Sequence, residues 1–289
     1  MTVTDTDVPP SSTAGTRAAA VATKPADGLA ILGEQLAFYA RVAASMPRTL
    51  VRYPKETLRI LSDVFFGSGA LAVIGGTLGV MIGMTVFTGL IVGLQGYSAL
   101  NQLGTSALTG FIAAYFDTRE VAPLAAGLAL SATVGCGFTA QLGAMRISEE
   151  IDALEVMAVP SLPYLVTTRV LAAVAAVIPL YLVGLLCSYV ASRQITVWFY
   201  GQSAGTYDHY FHLFLPPGDV LWSFLKVIVF SVVVIMVHCY YGYTATGGPA
   251  GVGVAVGRAV RAAIVLQMLL DFFLSLAIWG ATTTVRIAG

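Results

Sequence analysis

The chain has 289 residues, 57% hydrophobic and 10% charged, with 15 basic and 15 acidic side chains that cancel. A soluble domain carries about 25% charged residues, so this chain has too little charge to coat a water-facing surface. Zero net charge excludes the basic excess that nucleic-acid binding draws on, and the apolar content excludes an acidic disordered protein.

Asp, Glu, Lys and Arg are missing from four long stretches, 64–116, 121–145, 170–192 and 227–257. Each has room for the roughly 20 apolar residues that cross a bilayer as a helix. A fifth candidate, 259–282, is interrupted by Arg261 near its start and Asp271 in its middle. The pattern predicts an all-α polytopic membrane protein with about five spans. The polarity does not alternate in the manner of a β-barrel strand. Cys136, Cys187 and Cys239 stand singly in apolar runs and read as packing residues.

Residues 1–28, rich in Thr, Ala, Pro and Ser, read as a disordered cytoplasmic tail without the apolar centre of a signal peptide. From Leu29, apolar Leu32, Leu36, Tyr39, Ala43 and Met46 recur at helical spacing, and Pro47 is expected to end the helix. Arg48, Arg52, Lys55 and Arg59 extend the basic and apolar character, so 29–63 reads as an interfacial helix region on the inner leaflet. The alternative is a helix packed on a soluble partner. Seven of the 15 basic residues precede residue 60, which predicts a cytoplasmic N-terminus and an outer C-terminus. Segments 146–160 and 243–258 then lie inside, and 96–118 and 193–218 outside.

The permease region is read as 64–289. Its first span is expected over about 68–95, ending at Gln95-Gly96, with a short surface helix on to Phe116. Pro179 sits within span three and is expected to kink it. Small-residue stripes suit close helix packing in lipid: Gly75, Gly79 and Gly83 on span one, with Gly89 and Gly93 continuing, and Gly127, Ser131, Gly135, Thr139 and Gly143 on span two. Such stripes serve ordinary packing, a dimer seam or a cavity equally well. Span five aligns Ala263, Gln267, Asp271 and Ser275 on one ridge, and an acid at that depth needs a partner or a watery cavity. His238 is the titratable candidate at similar depth, and no second acid or Lys completes a relay. In the outer loop 193–218, the aromatic residues fit a membrane belt. Asp208, His209 and His212 lack further strong ligands, so no metal site is assigned.

Between spans two and three runs Arg146-Ile-Ser-Glu-Glu-Ile-Asp-Ala-Leu-Glu-Val-Met157. Ile147, Ile151, Leu154 and Ala158 share one face of the predicted helix 146–158, with Glu149, Asp152 and Glu155 opposite. Ser148 is the expected N-cap, and the acids after it, Glu150 included, suit the positive helix end. The segment is too acidic for an anionic leaflet, which calls for a protein partner. No GxxxxGK[ST] phosphate loop occurs, so the chain has no catalytic residues of its own for ATP hydrolysis.

These residues carry a resemblance. "RYPKETLRIL", "GLIVGLQ", "TREVAPLAAGL", "QLGAMRISEEIDALEVMAV" and "AGVGVAVGRAVRAAIVLQMLLDFFL" are similar to the YrbE/MlaE family of permeases, membrane subunits of lipid ABC transporters that work with MCE-domain proteins. The chain looks most like mycobacterial and other actinobacterial YrbE subunits. The resemblance implies five spans with an N-terminal interfacial helix, in the bacterial cytoplasmic membrane. It implies two permease subunits around a lipid cavity, a dimer of ATPases that bind ATP and Mg, and MCE proteins outside. It makes 146–157 the coupling helix, beginning at Arg146; the expectation is that Glu149, Glu150, Asp152 and Glu155 pair with basic groups on the ATPase while Ile151, Leu154 and Met157 give apolar contact. It implies import, with fatty acids, mycolic-type lipids, phospholipids and sterols all open as cargo.

One departure stands out. Thr133 and Gln141 occupy positions where the family pattern commonly has an Arg and a Glu, which suggests a non-identical permease partner that keeps those charges. A gradient-driven secondary transporter using Asp271 and His238 is the rival reading, weakened by the lack of internal repeats. A passive scaffold for MCE proteins is a third.

Overall fold

The computed structural model describes residues 14–66 and 76–280. The chain divides into a short unit that ends at Ala44 and a main unit that begins at Ser45. Helix α1, Ala14–Arg52, starts well before Leu29. Of the expected tail 1–28, residues 1–13 lie outside the described residues, and the rest is helical from Ala14, for which an Ala-rich run with high helix propensity accounts. Helix α1 also continues through Pro47, where an end was expected. The break comes at Tyr53, because Pro54 restricts the residue before it and then starts α2, Pro54–Phe66, where its missing N–H costs nothing.

In the main unit, Ile60 and Val64 of α2 are buried while Leu50, Val51 and Leu58 stay exposed next to Arg52, Lys55 and Arg59. Ser45 and Thr167 share a hydrogen bond of 2.7 Å between their hydroxyls, which ties the end of α1 to the third span.

Among the described residues five helices are long and apolar enough to cross a membrane. They are α3, Thr77–Gln102; α4, Ser106–Ile147; α6, Leu162–Phe199; α8, Pro217–Tyr243; and α9, Gly248–Trp279. Short helices α5, Glu150–Val156, and α7, Ala204–Leu213, lie at opposite ends of the bundle. The protein is an all-α, multi-pass membrane protein.

Boundaries differ from the charge-free windows in three places. Span one passes through Gly96 and ends at Gln102, followed by a tight turn in which Gly104 has φ 72°. No separate surface helix follows, since the segment to Phe116 is the first part of α4. Helix α4 then continues through Asp117, Arg119 and Glu120, in a stretch of wide π-type turns over Ala113–Val121. The window 227–257 is broken at 244–247, where Gly247 takes φ 89° and Pro249 opens α9. Helix α8 starts ten residues ahead of that window, so Asp219 and Lys226 belong to a span. The outer loop 193–218 is also largely helical, through the end of α6 and α7. Pro179 sits inside α6, which stays helical around it.

Helix packing follows the small residues, but on a different stripe of span one. Thr77, Met81, Thr85, Gly89, Gly93 and Gly96 form its buried side. A methyl group at Gly89 would strike Ser188, and one at Gly93 would strike Ile195 and Ser192, so α3 and α6 touch backbone to backbone there. Gly83 is exposed with open space around it, Gly79 is half-buried, and Gly75 lies outside the described residues. Four-residue spacing places 75, 79 and 83 about 160° from 77, 81 and 85 on a helix, which is why one stripe is buried and the other is not. On α4, Gly127 packs on Gln267, Gly135 on His238, and Gly143 on Val252.

Candidate functional site

Two arrangements carry chemistry, one at each end of the bundle. At the end bearing α7, Lys226 of α8 is fully buried. Its ammonium lies 2.7 Å from Asp271 Oδ1 and 3.0 Å from Glu120 Oε2. It also donates to Ser275 Oγ at 2.6 Å and to the Arg119 carbonyl at 2.8 Å. Ser275 donates in turn to Glu120 at 2.6 Å. Burying a single charge in apolar surroundings is costly, so the lysine is held where α4 and α9 both offer carboxylates. A second pair lies alongside: Arg119 Nε donates to Asp219 Oδ2 at 2.8 Å, the Trp279 indole donates to Asp219 Oδ1 at 3.0 Å, and the Tyr115 ring covers the guanidinium at 3.9 Å. Asp117, fully buried, accepts from Ser188 at 2.6 and 2.7 Å.

The ridge of span five therefore faces inward, with Ala263, Gln267 and Asp271 buried and Gln267 donating to the Leu124 carbonyl at 3.0 Å. The expectation that no lysine or second acid accompanies Asp271 is corrected: Lys226 and Glu120 do. Each sits one residue outside a charge-free window, 227–257 and 121–145 respectively. A charged residue at the edge of an apolar run was the signal available.

His238 is separate. It is fully buried, with Ser131 Oγ 2.9 Å from Nε2 and Thr139 Oγ1 2.9 Å from Nδ1. Along α8 it lies about 18 Å from Lys226 at 1.5 Å per residue, so it does not join the Asp271 cluster. At the α7 end, Arg193 grips Asp208 with two hydrogen bonds of 2.8 and 2.9 Å. The guanidinium holds that carboxyl below the usual range. Among the described residues no three His, Cys, Asp or Glu side chains form a metal-ligand group.

The opposite end carries α5. Ser148 terminates α4 rather than capping α5, and Glu149 fills the N-cap position in the left-handed region at φ 59°. Ser148 Oγ still serves the start of the helix by donating to Glu150 Oε1 at 2.9 Å. Ile151 is completely buried, so it anchors the helix and is not available to a partner. Leu154 is half-buried. The apolar surface on display is Val156, 88% exposed, and Met157, 65% exposed. Val156 was not picked out from the sequence, because the wheel ranks residues by face and not by what the flanking helices leave uncovered. Glu149, Glu150, Asp152 and Glu155 are all exposed around it.

Two connections tie α5 to the bundle. Arg146 pairs with Asp152 at 2.7 Å. Glu155 accepts from Ser161 Oγ at 2.6 Å, and Ser161 is 2.9 Å from the Tyr243 hydroxyl at the end of α8. Arg52, Glu155, Val159, Ser161 and Pro163 line an open groove of about 570 Å³ beside it.

Helix α5 is thus a short surface helix between spans, acidic with an apolar tip and pinned to three spanning helices. The family model described as "Permease MlaE" matches residues 66–277. The chain belongs to the MlaE permease family. It is similar to a probable ABC transporter permease protein of Rickettsia bellii, 28% identical over 78% of this chain and 85% of that protein. It is 30% identical to the chloroplastic protein TRIGALACTOSYLDIACYLGLYCEROL 1 of Arabidopsis thaliana, over 69% of this chain and 57% of that one. It is 27% identical to the intermembrane phospholipid transport system permease protein MlaE of Haemophilus influenzae, over 68% of this chain and 76% of that one. In this MlaE-family chain the matched region takes in spans one to four, α5 and all but the last two residues of span five, and it holds Glu120, Lys226 and Asp271.

Proposed function

We propose that this chain is the membrane subunit of an ABC-type lipid transporter in a bacterial cytoplasmic membrane, with ATP and Mg bound by a separate ATPase dimer. The observation that carries the reading is α5: four exposed acids around Val156 and Met157, on a helix anchored by Ile151. Such a surface suits a basic, apolar-lined groove on a protein partner. Relatives whose names include "ABC transporter permease" and "phospholipid transport" support lipid as the cargo class.

In this reading the N-terminus is cytoplasmic, α5 faces the ATPases, and the α7 end faces MCE proteins. A second, non-identical permease subunit completes a lipid-accessible cavity, and lipid moves inward. ATPase closure pushes α5, and the links Arg146–Asp152 and Glu155–Ser161–Tyr243 pass the displacement to α4, α6 and α8. Glu149→Lys with Asp152→Lys is expected to abolish co-purification of the ATPase and ATP-dependent lipid transfer while leaving the permease folded. Unchanged co-purification and transfer would refute the assignment. The gradient-driven alternative loses its relay, because His238 and Asp271 belong to separate hydrogen-bonded groups.

A further inference from the structure

Arg169, near the start of α6, is buried with 8% exposure. The other buried cations, Arg119 and Lys226, each meet a carboxylate. Among the described residues none pairs with Arg169. Glu56 of α2 lies 3.9 Å from Arg59. Nη1 donates to the Leu165 carbonyl at 2.7 Å, Nη2 to Gln141 Oε1 at 3.4 Å, and the buried Nε has no partner. The Phe138 ring lies 5.6 Å from Cζ. A buried guanidinium with one neutral side-chain acceptor and an idle N–H is electrostatically incomplete.

Its side-chain neighbours Gln141 and Phe138 both belong to α4. Gln141, Ala140 and Ala144 are exposed, and a methyl group added at Gly137 would meet nothing within 4 Å. Small residues leave a shallow face beside the guanidinium that an incoming group can reach. Depth favours a lipid: α6 has 38 residues, about 57 Å at 1.5 Å per residue, against about 40–45 Å for a bilayer with its headgroups. Arg169 stands about 11 Å from the helix start, which is headgroup level when the overhang is shared between both ends.

We propose that Arg169, with Gln141 beside it, binds the anionic oxygen group, phosphate or carboxylate, of a lipid headgroup on the α5 side of the membrane. A guanidinium fork suits such oxygens in paired hydrogen bonds. The proposal rests on the lipid-permease reading above and specifies where that permease selects charge.

The test uses the full-length protein in detergent, with dioleoyl phosphatidylglycerol and dioleoyl phosphatidylcholine added separately and retention read by native mass spectrometry. The wild type is expected to prefer the anionic lipid by roughly tenfold, the scale of one charge-assisted hydrogen bond. Gln141→Glu puts a carboxylate onto the guanidinium and leaves the burial intact. It is expected to erase the preference while both lipids still bind and thermal stability holds or rises. Arg169→Lys is expected to weaken the preference. An anionic preference equal in wild type and Gln141→Glu overturns the proposal and leaves the permease reading standing. If Gln141→Glu instead loses a co-purifying permease subunit at unchanged lipid preference, Arg169 belongs to a protein interface. Displacement of phosphatidylglycerol by inorganic phosphate overturns the headgroup as the source, and its persistence supports it. A wild type that retains neither lipid overturns this proposal and the lipid reading together.

Discussion

Lys226 and Asp271 meet at 2.7 Å across the α8–α9 contact, and the lysine side chain has no exposure at all. Lys226→Met strands Asp271 and Glu120 together inside the bundle. The expected loss is about 3–5 kcal/mol, the range for breaking a buried pair from one side. The double variant Lys226→Met, Asp271→Leu removes both charges of the pair and is expected to regain part of that loss. Thermal unfolding in detergent measures both, and a single variant as stable as the wild type would contradict the pairing.

His238 has a structural explanation in its two hydroxyl partners. His238→Leu leaves Ser131 and Thr139 without their buried partner, and the expected cost is about 1–3 kcal/mol. Lipid transfer per folded molecule is expected to stay within about twofold of the wild type, less than 0.6 kcal/mol in equivalent terms. Transfer that collapses in a fully folded His238→Leu protein would revive the proton-relay reading.

Gly89 and Gly83 offer a matched comparison on one helix. At Gly89 a methyl group would lie 2.9 Å from the Ser188 carbonyl carbon, so α3 and α6 must separate. Gly89→Ala is expected to destabilise by about 1–3 kcal/mol. Gly83 faces open space, and Gly83→Ala is expected to be neutral or to gain up to about 1 kcal/mol from helix propensity. Equal effects at the two sites, measured by thermal unfolding, would contradict the packing described.

Arg193 lowers the Asp208 carboxyl below its ordinary value, so the folded state binds that proton less readily than the unfolded chain. Its contribution is complete above the unfolded carboxylate value, about 3.9, and is lost as pH falls through the lower folded value. Both side chains are partly exposed, 36% and 40%, so the effect stays small, below about 1 kcal/mol, and weakens with salt. Asp208→Asn is expected to remove that acid-side step from a stability profile measured at low salt, and a profile identical to the wild type's would count against the pair.

Val156→Asp adds charge to the exposed tip of α5 without touching the Ile151 anchor. Fold stability is expected to remain within about 0.5 kcal/mol, while ATPase binding in a pull-down drops severalfold. Retained binding would shift the contact from the tip to the acids alone.

Composition and charge placement were enough to read the membrane class and the number of spanning helices, because crossing a bilayer demands length and apolarity from each segment by itself. Local pattern also disclosed α5, since four acids close together in a chain this poor in charge do not fit a membrane span. The charge-free windows misplaced the spans for the same reason that they found them: a window that rejects every charge rejects Glu120 and Lys226, which are tolerated only because α4, α8 and α9 bring them together. The buried stripe of α3, the isolation of His238 and the idle Nε of Arg169 depend on which helices are neighbours. That is a property of residues far apart in the chain, and desolvation dictates that buried charges find partners without saying which ones. Only the tertiary structure chose Asp271 for Lys226 and, among the described residues, set no acid against Arg169.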